Sequence, residues 1–220
     1  DNNNIATSLT KVYTSADLLT ADANNPTLRA QFLQAIEEVA TGFRTTATQL
    51  TDIAQGVTDT ATAEVNLFNG ELQALEEINA GLRKARAGST NQASLMDRRD
   101  QLIDQLSAKG GINVSFDNRG AATVRASDSG ELLLSAGYRA ELSASVSATG
   151  LISYSIDGGT PFATTRGSLA GFAEAASHVS DQRAGLDEMA VQFSTELNTA
   201  HQAGFDLQGE PGKALFVGTS

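Results

Sequence analysis

The residues able to do chemistry in this chain are few and far apart. Its two histidines, His178 and His201, stand 23 positions apart in one predicted helix. At 1.5 Å per residue that separates them by about 35 Å. Two imidazoles at that distance share neither a metal ion nor a reaction centre, because both need donors converging on one atom. Asp97, Asp100 and Asp104 follow helical spacing, with Arg98 and Arg99 among them. Carboxylates on one helix face suit acid–base work or a divalent cation. They equally suit a solvated face held by local ion pairs, and the interleaved arginines favour that reading. Glu37-Glu38 and Glu76-Glu77 fall on the polar side of a long helix on the same ground. There is no cysteine, which removes disulfides, thiolate metal sites and thiol nucleophiles.

The glycine motifs are equally unpromising as sites. Gly110-Gly111 precedes a strand instead of opening a helix, and Gly158-Gly159 sits in a turn with no phosphate-loop lysine after it. Asp117-Asn118-Arg119-Gly120 opens like a calcium loop but lacks the downstream glutamate spacing. No nucleophile elbow or His-Glu-x-x-His pattern occurs. No catalytic, cofactor-binding or metal-ligating residue is therefore assigned. The expectation is a protein that is not an enzyme and carries no cofactor.

Charge narrows the partners. The net charge is −11, which repels phosphate backbones and anionic membranes at long range. The densest basic cluster, Arg83, Lys84 and Arg86, lies near a helix end, where it complements the helix dipole. Tryptophan is absent and aromatics make up 5%, a poor stacking platform for single strands. No nucleic-acid partner is expected. No apolar run reaches the roughly 20 residues of a membrane span, so no membrane insertion is expected either. Asp1-Asn2-Asn3-Asn4 has neither a basic nor an apolar leader region, so no cleaved signal peptide is expected. With no initiator methionine, the sequence reads as a piece of a longer protein.

The elements that would position any site are mostly helical. Ile5–Thr20 reads as a short helix or an irregular lead-in. Asn24-Asn25-Pro26 is a helix start, with asparagine as cap and proline in the first turn. Apolar residues then recur at Phe32, Ile36, Val39, Phe43, Leu50, Ile53 and Val57. After a four-residue step to Ala61 they resume at Val65, Phe68, Leu72, Leu75 and Leu82. This heptad-like stripe with one phase shift predicts one long helix, or two nearly collinear ones, from Pro26 to about Ala87, roughly 90 Å long. Gly88-Ser89-Thr90 ends it. A second helix runs from about Asn91 to Leu106 and folds back as an αα-hairpin.

Alternation with a period of two then predicts short strands around Ile112–Phe116, Ala122–Val124, Leu132–Leu134, Leu142–Val146 and Ile152–Ile156, joined by turns into one small antiparallel sheet. Helical period returns from Gly167 to about Ala200, with Gly204 as its expected left-handed stop. Leu215, Phe216 and Val217 form an apolar anchor in the tail. Asn198 and His201, one turn apart, are expected to satisfy carbonyls near that helix end. The fold class is mainly α: an elongated antiparallel helical bundle with long rod-like helices and an inserted small antiparallel β region. The expected organisation is a helical rod domain of residues 1–110 and 166–220 with a β-rich insertion of residues 111–165.

Several phrases, in order, resemble the flagellar hook-associated protein 1 family. Asn25-Pro26-Thr27-Leu28-Arg29, followed by Phe32-Leu33, is similar to that family's early helix start. Leu95-Met96-Asp97-Arg98-Arg99-Asp100-Gln101-Leu102-Ile103-Asp104-Gln105-Leu106 resembles its LLDQRDQLLDELS phrase, with Met96 and Arg98 as departures. Asn198, His201, Gly204 and Gly209, then Gly212 with Leu215-Phe216, resemble a phrase near the end of the family's helical part. The resemblance covers about residues 25–217, and residues 120–165 match only in character.

The resemblance implies a structural subunit that joins hook to filament and self-assembles into a tubular junction, outside the cell, on the flagellum. It implies export by the flagellar type III system without a cleaved signal. The implied partners are other copies of the chain, the hook protein, the second junction protein, and an export chaperone bound through a terminal segment outside this sequence. A flagellin-like or other hook-associated subunit is the nearest alternative. A secreted helical adhesin is the alternative from another class.

Overall fold

The computed structural model describes residues 4–205 and 208–217. Helix α1 covers Ile5–Ala21, a full helix where the sequence left an irregular lead-in open. The Asn4 side chain caps it by accepting from the Thr7 N–H at 2.8 Å. Helix α2 is a single helix, Pro26–Lys84, of 59 residues. Asn25 caps it by accepting from the Thr27 and Leu28 amides, and Pro26 occupies the first position, where no amide is needed. Helix α3 is Thr90–Lys109, capped by Ser89. It runs back along α2: Lys109 pairs with Glu71 at 2.7 Å, and Gly81, farther along α2, faces Leu95, earlier in α3.

Seven strands follow among the described residues, in two sheets instead of the one expected. Strands β1 (Ile112–Phe116), β2 (Ala122–Ala126), β3 (Leu132–Ser135) and β4 (Tyr138–Arg139) form an antiparallel meander. Strands β5 (Leu142–Val146), β6 (Ile152–Ile156) and β7 (Thr160–Pro161) form a second. The two-residue strands carry too short an alternation to be read from sequence. Helix α4, Gly167–Gln202, closes the order.

The chain divides into two compact units, Asp1–Asp52 with Asp181–Ser220, and Ile53–Ser180. In the first, Val12 of α1, Ala35, Ile36, Val39 and Phe43 of α2, and Leu186 of α4 form a buried core. In the second, Ala61, Val65, Phe68, Leu72 and Leu75 of α2 pack with Leu106 of α3, both sheets, and Leu169 and Ala176 of α4. The phase shift in the α2 stripe thus falls near the change from one core to the other. Ile53 was expected on the buried stripe but is 52% exposed, and it is the first α2 residue of the second unit.

Candidate functional site

The residues with chemical potential are dispersed and engaged locally. His178 is exposed, 3.8 Å from Glu174 one turn away. Asp100 holds Arg99 at 2.6 Å, while Asp97 and Asp104 are exposed beside it on α3. Glu38 pairs with Lys11 at 2.9 Å, a bond that holds its carboxyl below the usual range. Glu76 pairs with Arg139. Asp117 folds its own turn by accepting from the Arg119 and Ala121 amides, and those bonds, the Ala121 amide first, hold its carboxyl below the usual range. Gly110 and Gly111 lie tight against Phe162 and Ser127. Tyr154 is buried and donates to the Leu169 carbonyl at 2.9 Å; burial pushes its phenol up to about 12. Among the described residues no three His, Asp or Glu side chains gather as a metal set. A groove of about 1010 Å³ in the first unit is lined by Asn4, Ser8, Glu37, Thr41 and Met189 among others. Glu38, which also lines it, is already paired with Lys11.

Where polar side chains do converge, they hold backbone. On α2, Asn79 is 1% exposed. Its Nδ2 donates to the Ala122 carbonyl at 2.8 Å, and its Oδ1 accepts from the Ala122 amide at 2.7 Å. Asn69 treats Leu142 in the same way, with both bonds at 2.8 Å. Ala122 opens β2 and Leu142 opens β5, so each sheet is tied to α2 by one carboxamide standing in for a neighbouring strand. Neither asparagine was singled out from the sequence. The available signal was Asn79 itself, which falls on the apolar stripe between Leu75 and Leu82.

A third anchor comes from the Leu95–Leu106 segment of α3. Arg99 is 9% exposed; its Nη1 donates to the Gly120 carbonyl at 2.6 Å, and its guanidinium lies 4.2 Å from the centre of the Phe116 ring. The charged face expected at Asp97–Asp104 therefore includes one buried arginine, which holds the β1–β2 turn.

The fourth is at the end of α4. Asn198 Oδ1 accepts from the Leu215 and Phe216 amides at 2.7 and 2.9 Å, and its Nδ2 donates to the Phe216 carbonyl at 2.9 Å. His201 Nδ1 lies 2.6 Å from the Lys213 carbonyl, which requires the proton on Nδ1. The two residues thus satisfy carbonyls beside the helix end, and those carbonyls belong to the returning tail. Gly204 does not adopt the left-handed conformation expected of it; Gly209 does, with φ 86°. Gly212 donates to the Gly204 carbonyl at 2.9 Å and passes so close to His201 that a Cβ would meet its carbonyl oxygen at 2.1 Å. Phe216 then packs edge-on against Phe193, with ring centres 5.7 Å apart. Val217, expected in the apolar anchor, is 85% exposed. Asp206 and Leu207 of the same phrase, Asp1–Asn3 of the leader reading, and the last three residues of the tail lie outside the described residues.

Known proteins share both the sequence and the fold of this chain. "Flagellar hook-associated protein 1" of Escherichia coli is 27% identical over 97% of this chain and 41% of its own length. The protein of the same name from Bacillus subtilis is 24% identical over 98% of this chain and 48% of its own length. The chain therefore spans less than half of these curated relatives. The solved flagellar hook junction protein FlgK from Burkholderia pseudomallei shares the fold, with a TM-score of 0.83 over 97% of this chain and 40% of that one, at 22% identity. The family model for the flagellar hook-associated protein FlgK helical domain matches residues 1–216. With that match across nearly the whole sequence, the chain belongs to the flagellar hook-associated protein 1 family.

Proposed function

We propose that the chain is the helical part of a structural subunit that joins the hook of a bacterial flagellum to its filament. The observation that carries this reading is the helical-domain match over residues 1–216. The role is one of holding and being held, and no reaction or cofactor is assigned to it. The anchors described above fit such a role, since each stiffens backbone and presents no reactive group. Residues 111–165 act in this reading as a β-rich insertion carried by helical residues 1–110 and 166–220. Export through the flagellar type III system, assembly with other copies into a tube, and contact with the hook protein and the second junction protein belong to the same proposal. So does an export chaperone bound through a segment outside this sequence. The location is then extracellular, on the flagellum. A deletion of the gene tests the reading by measuring flagellin in attached filaments and in the growth medium. Loss of filaments with unpolymerised flagellin in the medium is the expected result. Attached filaments and normal swimming would overturn it and favour a secreted adhesin.

A further inference from the structure

The basic cluster seen in the sequence becomes denser in the fold. Arg83 and Lys84 close α2, and Arg86 follows in the loop. The β1–β2 turn delivers Arg119 to the same end of the second unit, where its Nη1 donates to the Arg83 carbonyl. Lys84, Arg86 and Arg119 are exposed. The ion pairs among the described residues engage Lys11, Arg99, Lys109, Arg139 and His178, and none of these four cations. Asp117 lies within the field of Arg83 and offsets part of its charge, while its Oδ1 accepts from two backbone amides; Lys84, Arg86 and Arg119 still leave this end basic. The helix dipole gives a reason for cations in the last turn of α2. It gives none for a fourth charge brought from a hairpin, because a neutral donor would satisfy the Arg83 carbonyl without the added repulsion.

The protein as a whole is acidic, at −11. On α4 of the first unit, Asp181, Glu188 and Glu196 are all exposed. Spacings of seven and eight residues put them on one helix face, opposite Leu186, Ala190, Phe193 and Leu197, which face the core. We propose that the basic tip formed by Arg83, Lys84, Arg86 and Arg119 docks on this acidic α4 face of a second copy of the chain. The occupant rests on the proposed structural role, which requires contacts between copies. Opposite charges on two different patches give a heterologous contact, which repeats from copy to copy and closes into a ring or continues as a helix. Charge pairing of this kind steers and registers partners more than it binds them tightly.

The absence of cysteine makes the test direct. Ala87→Cys is placed in one tagged copy and Gln192→Cys in another, which leaves every charge in place. Oxidative cross-linking between the two copies is expected in 0.1 M salt and should fall about tenfold in 1 M salt, as the screening length drops from about 10 Å to about 3 Å. Lys84→Glu with Arg86→Glu should lower the yield to the high-salt level. Adding Asp181→Lys and Glu188→Lys to the other copy should restore it, which a misfolded tip could not do. A yield no higher than that of a control copy carrying Thr62→Cys would overturn the proposal. So would salt-dependent binding of the wild-type chain to phosphatidylserine vesicles or duplex DNA without cross-linking between copies. In cells, attached filaments that survive the Lys84→Glu/Arg86→Glu change but not deletion of the gene would sink the tip contact and leave the junction role standing.

Discussion

Asn79 and Ala122 exchange two hydrogen bonds, at 2.7 and 2.8 Å, inside the core of the second unit. A carboxamide presents one donor side and one acceptor side in a plane, as a peptide does. It therefore extends the β2 ladder from a helix. The cost of losing it is set by what is left behind, namely a buried N–H and a buried C=O with no water to replace the partner. Asn79→Ala is expected to destabilise the second unit by about 2–4 kcal/mol. Asn69→Ala removes the same pair of bonds at Leu142, but Asn69 is only half-buried. It should cost about 1–2 kcal/mol. Urea unfolding followed by circular dichroism orders the two, and equal losses would contradict the burial argument.

How much of this was legible in the sequence differs between helix and sheet. Stripes such as Ile36, Val39 and Phe43, and Val65, Phe68, Leu72 and Leu75, report directly on burial, because helix packing requires apolar residues at that spacing. Asn79 was passed over because a polar residue on an apolar stripe looks like an interruption until its backbone partner is known. The partner is 43 residues away and belongs to a different kind of element. Arg99 was hidden for a related reason: flanked by Asp97, Arg98 and Asp100, it reads as one more surface charge. Sequence periodicity carries no information about which arginine of a charged run turns inward. The Gly204 reading erred because the helix was expected to end in a left-handed glycine, while here the carbonyl of Gly204 accepts from Gly212 of a tail that returns from beyond it.

Asp157 gives a pH dependence with a definite sign. Its Oδ2 accepts from the Tyr138 hydroxyl at 2.6 Å and its Oδ1 from the Glu141 amide at 2.8 Å, which ties the first sheet to the second. The Tyr138 bond first, then the Glu141 amide, lowers the pKa of Asp157 below its ordinary 3.8. A carboxyl depressed on folding stabilises the fold above its unfolded value and loses that contribution as pH falls through the folded value. Tyr138 shifts the other way, raised above its ordinary 10.0 mainly by the same bond. Its contribution is present below that value and is lost as pH rises through the folded one. The tie should therefore weaken below about pH 4 and above about pH 10. Both groups are exposed, so the effect is small and is best followed at the Glu141 amide by NMR. Asp157→Asn keeps an acceptor and tolerates the left-handed backbone at φ 50°. It should abolish the acid transition at that amide; its persistence would assign the titration to another group.

Arg99→Lys separates charge from geometry. Lysine keeps a cation but cannot lie flat 4.2 Å from the Phe116 ring centre while donating to both Gly120 and Asp100. The expected loss is about 1–2 kcal/mol, with faster amide exchange in the β1–β2 turn. Gly120→Ala should disturb the same turn from the other side. Its φ is 85°, and an added Cβ would meet the Met96 methyl at 2.6 Å. If either substitution leaves exchange in that turn unchanged, Arg99 does not hold the hairpin.

The tail clasp predicts that two unlike substitutions have one consequence. Asn198→Ala removes three hydrogen bonds to Leu215 and Phe216 at once. Gly212→Ala removes none of them, but drives a Cβ into the His201 carbonyl and must push the tail away. Both should release Phe216 from Phe193, raise amide exchange at Leu215 and Phe216, and cost the first unit about 1–3 kcal/mol. Asn198→Asp retains the acceptor for both amides and sets a carboxylate against the Phe216 carbonyl. It should fall between wild type and Asn198→Ala. His201→Ala removes one bond at an exposed position and should cost less than either. The ordering matters more than any single value. If Gly212→Ala unfolds the first unit while Asn198→Ala leaves the tail protected, the tail is held by backbone packing, and the hydrogen bonds of Asn198 are incidental to it.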